Sequence, residues 1–93
     1  MQHKSSQRRY NSGLRVIVRS FGDIPHIRKI VSMTDTAVFV CREESYDAIL
    51  AGERDAPMIG FPLQDVFKYD QPMADVIAAG RRPEWNHLRP LSA

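Results

Sequence analysis

Apolar and polar positions alternate along residues 14–21: Leu14, Val16, Val18 and Ser20 fall on one side, Arg15, Ile17 and Arg19 on the other. β-branched residues dominate, and a period of two with such residues predicts a strand. Gly22-Asp23-Ile24-Pro25 predicts a turn. Residues 26–33 read as a second strand with a less regular pattern, and Thr34-Asp35 as a tight connection. Residues 36–42 are apolar on both faces, as expected of a third, central strand. The three predict an antiparallel meander.

The period then changes. Tyr46, Ile49 and Leu50 fall at i, i+3 and i+4, which predicts a helix over residues 43–52, with acids at its start and Gly52 as its stop. Residues 53–57 read as an exposed loop and 58–61 as a fourth strand. Pro62 cannot donate to a ladder, so it belongs at an edge or a strand end. Residues 63–69 suit either a 3₁₀ turn leading into a short strand or a helical turn. Residues 72–80 predict a second helix, with Pro72 in its first turn and Gly80 closing it. The expected fold is a small α+β domain: a three- to five-strand antiparallel sheet, open or rolled into a barrel, with one inserted helix and one near the C-terminus. Its expected core is Val16, Val18, Ile30, Val38, Val40, Ile49, Leu50, Ile59, Phe61, Val66 and Phe67.

Gly60-Phe61-Pro62-Leu63-Gln64-Asp65-Val66-Phe67 resembles the closing segment of SH3-like barrels, where a Gly-aromatic-Pro step precedes a 3₁₀ turn and a final strand. The resemblance spans about a tenth of the chain and implies architecture. The aromatic-rich first strand and long acidic loop of the peptide-binding SH3 family are missing, and a helix stands where that family has strand and turn. No proline-peptide site therefore carries over.

At 93 residues the chain predicts a basic arm (1–13), one globular unit (14–80) and a proline-bounded tail (81–93). An apolar fraction of 43% and a charged fraction of 26% are ordinary globular values. No apolar run is long enough for a membrane span, and the polar start lacks the apolar middle of a secretory signal. One cysteine, Cys41, allows no internal disulfide, so a reducing cytoplasm is the expectation. The net charge of +2 hides a segregation: residues 1–20 carry +5, residues 21–70 carry −4 and residues 71–93 carry +1.

Little of this composition is reaction chemistry. His3, His26 and His87 lie far apart, without metal-ligand spacing, and no cofactor or catalytic group is expected. Asp23 and His26 can meet across a turn, although a turn-capping Asp beside a surface His fits that spacing better. Cys41 ends an apolar strand, so a buried structural thiol is favoured over a nucleophile activated by Arg42. Glu43, Glu44 and Asp47 crowd one helix start rather than facing each other across a cleft. No glycine-rich phosphate loop is present.

Two surfaces carry the functional expectation. Lys4, Arg8, Arg9 and Tyr10 lead into Arg15 and Arg19, which share a strand face with Ile17, and Arg28 is expected across from them. That set suits nucleic-acid phosphates, against the competing reading of a solvated face favoured by the small net charge. In the tail, Trp85, Leu88 and Leu91 at i, i+3 and i+6 either pack onto the body or, if free, anchor a protein partner or a second copy. The expected function is a non-enzymatic module that binds a protein through a sheet edge or the tail; the alternative is nucleic-acid binding through the basic arm and first-strand face.

Overall fold

The computed structural model describes residues 12–53 and 56–92. Five strands form one antiparallel sheet: β1 (Arg15–Ser20), β2 (Ile24–Met33), β3 (Ala37–Cys41), β4 (Ile59–Pro62) and β5 (Val66–Lys68), in the order β4-β3-β2-β1-β5. A 3₁₀ turn (Glu43–Ser45) and helix α1 (Tyr46–Leu50) lie between β3 and β4. Helix α2 (Gln71–Ala78) follows β5. The predicted meander and α+β class are present.

Chain connectivity forces the sheet to curl. β4 and β5 are opposite edges, and four inter-strand steps would hold them roughly 19 Å apart in a flat sheet. Only the 3₁₀ turn Leu63–Asp65 joins them, and the four residue steps from Pro62 to Val66 reach at most about 14 Å. The sheet therefore rolls into a half-barrel. Its concave face gathers side chains from every strand: Val16, Val18, Ile30, Val38, Val40 and Val66 are buried there, with Met33, Phe61, Leu63 and Leu91 packed against them.

A bulge explains why β2 is irregular as a sequence. Ile30 pairs with Val40, but Ser32, not Val31, pairs with Phe39. The extra residue reverses the alternation, so Ile30 and Met33, three apart, both reach the concave core. Pro25, expected in a turn, lies inside β2 opposite Arg19. β3 pairs only with Lys29–Met33, so no β3 neighbour needs an N–H from Pro25. The reversal is tighter than expected: Ser20 pairs with Ile24, and Gly22 (φ 80°) and Asp23 (φ 60°) carry the left-handed backbone.

A second core covers the convex face. Ile17, on the Arg15–Arg19 side of β1, is fully buried with Phe67 and Leu88, and Ile27, Met73, Ile77 and Trp85 pack against them. Helix α2 supplies two of these residues; Asp70 caps it, accepting from Met73 N at 2.9 Å. The tail takes the packed alternative. Lys68 N donates to Arg89 O (2.8 Å) and Leu91 N to Val66 O (3.0 Å), so residues 89–91 line the outer edge of β5. Of the expected core, Ile49 and Phe61 are half-buried, while Leu50 and Ile59 are exposed. The inserted helix makes only one short α-helical stretch, which leaves Leu50 facing outward.

Candidate functional site

The basic strand face is largely neutralised within the fold. Arg15 Nε lies 2.7 Å from Glu43 Oε2, and its guanidinium sits 5.4 Å from the Tyr69 ring. Arg19 pairs with Asp65 at 3.3 Å and lies over both the Phe67 and Trp85 rings, 5.2 and 5.1 Å from their centroids. Arg28 is not across from them. It pairs with Val16, and because cross-strand partners share a face it belongs to the concave side. Lys29, opposite Arg15, occupies the place expected for it and rests 4.9 Å from the Tyr46 ring. Lys4, Arg8, Arg9 and Tyr10 lie outside the described residues. In the tail, Leu88 is buried and Trp85 is half-buried against Phe67, with ring centroids 5.3 Å apart. Leu91 packs on the concave core.

A larger concavity than any on the basic strand face lies elsewhere among the described residues. A groove of about 970 Å³ opens at the mouth of the half-barrel, between the β1–β2 reversal and β4. Val40, Ile59, Phe61, Phe21 and Pro57 make its apolar wall, and His26, Arg28 and Arg42 gather at one side. Phe21, 99% exposed, stands at the rim.

β4 borders this groove and is the sheet edge that no described strand or tail covers. Leu63 N donates to Thr36 O at 3.2 Å. Bonded and non-bonded pairs alternate in an antiparallel ladder, so Phe61 and Ile59 direct their backbone groups to β3 while Gly60 directs its N–H and C=O outward. Pro62 ends the edge without a donor. On the convex side a Cβ at Gly60 would stand 2.9 Å from the Phe39 ring, so this glycine lets Phe39 lie across the strand.

A polar chain lines the groove floor. Ser20 Oγ donates to Ile24 O (3.2 Å), so it accepts from Nε2–H of His26 (3.1 Å). That tautomer leaves Nδ1 to accept from Arg28, 3.5 Å away. Burial, then Arg28, then Arg42 lower the His26 pKa from 6.5. The folded imidazole therefore resists protonation, and its stabilising contribution is complete above the unfolded value and lost as pH falls through the lower folded value. Thermal melts should decline in Tm between about pH 7.5 and 5.5, above the carboxylate range, and His26→Gln should flatten that slope. An unchanged slope in His26→Gln would remove the polar chain from the account.

Cys41 is buried, and burial pushes its thiol pKa up against the opposing pull of Lys29 and Arg28. The cations that act on the thiol are Lys29 and Arg28. Among the described residues no three His, Cys, Asp or Glu converge as metal ligands, and no helix is long and apolar enough to cross a membrane. The sequence reading missed the groove because its walls come from four segments far apart in the chain. The available local signals were Phe21 beside a glycine turn and the adjacent Met58 and Ile59. No family model matches the chain, and no curated protein or solved structure matches it either.

Proposed function

We propose that this chain is a small SH3-like module that binds an extended peptide along β4, with alternate peptide side chains entering the adjoining groove. The observation that carries the reading is the coincidence of an uncovered strand edge with an apolar groove on its concave side. Strand addition uses such an edge for main-chain hydrogen bonds and the neighbouring pockets for selectivity. The strand order, the bulged β2 that serves both halves of the sheet, and the 3₁₀ turn between β4 and β5 support the SH3-like architecture. The apolar wall around Val40, Ile59 and Phe61 differs from an aromatic proline-binding surface, and exposed Phe21 is suited to anchor a ligand. Nucleic-acid binding through the first strand is the weaker reading, since Arg15 and Arg19 are paired with acids and Arg28 faces the other way.

Panning a random peptide library against the full chain tests this. Ile59 is 59% exposed, so Ile59→Asp leaves the fold intact. It places a carboxylate against the apolar part of a ligand, and leaving such a group unsatisfied costs about 1–3 kcal/mol, or roughly tenfold or more in affinity. Peptides with alternating apolar residues should be enriched on the wild-type chain and lost from Ile59→Asp. Enriched peptides that bind both proteins equally would place the site elsewhere.

A further inference from the structure

We propose that the peptide taken up along β4 is acidic, with a Glu or Asp side chain two residues along from its apolar pair. This rests on the groove reading above and names the ligand's chemistry. The concave side chains fall into rows across the sheet. Ile30, Val40 and Ile59 form one row through the pairs Ile30–Val40 and Val40–Ile59. The Lys29–Cys41 pair is the next step along β2 and β3. Extending that register one step sets Arg28 opposite Arg42, whose backbone is still extended (φ −67°, ψ 151°). The same step along β4 leads to Pro57, which also lines the groove. A strand laid beside β4 thus meets Phe61, Ile59 and then Pro57, at the two-residue spacing of one strand face, with Arg42 and Arg28 further along that last row across the groove.

Among the described residues three acids line the groove: Asp23 at the reversal, Asp65 paired with Arg19, and Glu44 beside Arg28 and Arg42. Arg28 directs Nη1 to Ile27 O (2.8 Å) and Nη2 towards His26, and it makes no ion pair among the described residues. Among the described residues Arg42 has only an exposed contact with Glu44 at 3.8 Å. Burial first, and then Arg42, lower the pKa of Arg28, while Glu44 opposes them. The two guanidiniums form a receptor for a carboxylate, which an arginine fork binds in bidentate fashion, while His26 stays the neutral acceptor that orients Arg28. The chain's own start is a poor occupant, since residues 1–11 carry Lys4, Arg8 and Arg9 and no acid.

The test uses labelled peptides containing Val-Thr-Ile-Thr-Glu, its Ala and Lys replacements at the Glu position, and the reversed order, with the full chain in fluorescence anisotropy. In at least one order the Glu peptide should bind about tenfold more tightly than the Ala peptide, the size expected of a hydrogen bond to a charged group. The advantage should shrink at high salt. In Arg28→Glu/Arg42→Glu the preference should reverse to the Lys peptide, a gain that misfolding cannot mimic. If Glu and Ala peptides bind equally and both are lost in Ile59→Asp, the groove reading stands and the acidic preference is overturned. If no peptide binds in either order, the proposal fails. Self-association abolished by Ile59→Asp would then assign the edge to a second copy of the chain.

Discussion

Ile17→Ala is expected to lower the free energy of unfolding by about 2–5 kcal/mol, the cost of emptying a buried isoleucine site. Read as a sequence, Ile17 lies between Arg15 and Arg19 on a basic, solvated strand face, where truncation would change stability by less than about 0.5 kcal/mol. In the fold it is fully buried among Phe67, Leu88 and the side chains of α2. The two arginines flank this second core, each lying over aromatic rings while its charge meets an acid. Stability of a domain this size is of order 5–15 kcal/mol, so the loss is readily measured by urea unfolding. A midpoint unchanged from the wild type would mean that α2 and the tail do not cover this face.

Trp85→Ala should be nearly as damaging, at about 3 kcal/mol, whereas Trp85→Phe should cost far less. The indole ring packs against both Phe67 and the Arg19 guanidinium, so its area and stacking stabilise the tail. Its buried Nε1–H has no hydrogen-bond partner among the described residues, so phenylalanine gives up none of those bonds and removes an unsatisfied donor. Comparing the two variants by denaturant unfolding separates ring packing from the polar handle. Equal stability in Trp85→Ala and wild type would describe a tail held loosely enough to act as a partner-binding segment.

Strand existence was legible because β1 and β3 show clean local patterns. The regular valines at Val16, Val18, Val38 and Val40 mark the concave core directly. What escaped sequence reading depended on register. A one-residue bulge at Val31 inverts β2, and only the pairing of Val16 with Arg28 sends that arginine to the opposite face from Arg15 and Arg19. A period of two also cannot say which face is wet, and here both are covered over β1. The reading of residues 63–69 offered a 3₁₀ turn leading into a short strand as one of its two alternatives, and both elements are present. The groove's few local signals could not place it, since Phe21, His26, Val40 and Ile59 meet only after the sheet curls.

Amide hydrogen exchange at Gly60, followed by NMR with and without a peptide enriched in the panning, tests strand addition most directly. Gly60 directs its N–H away from β3, at an edge that no described strand covers. A peptide that extends the sheet must slow exchange at Gly60, while the Ile59 and Phe61 amides, already bonded to β3, change little. Saturating peptide that leaves Gly60 exchange unchanged, or protects residues near Trp85 instead, would contradict binding along β4.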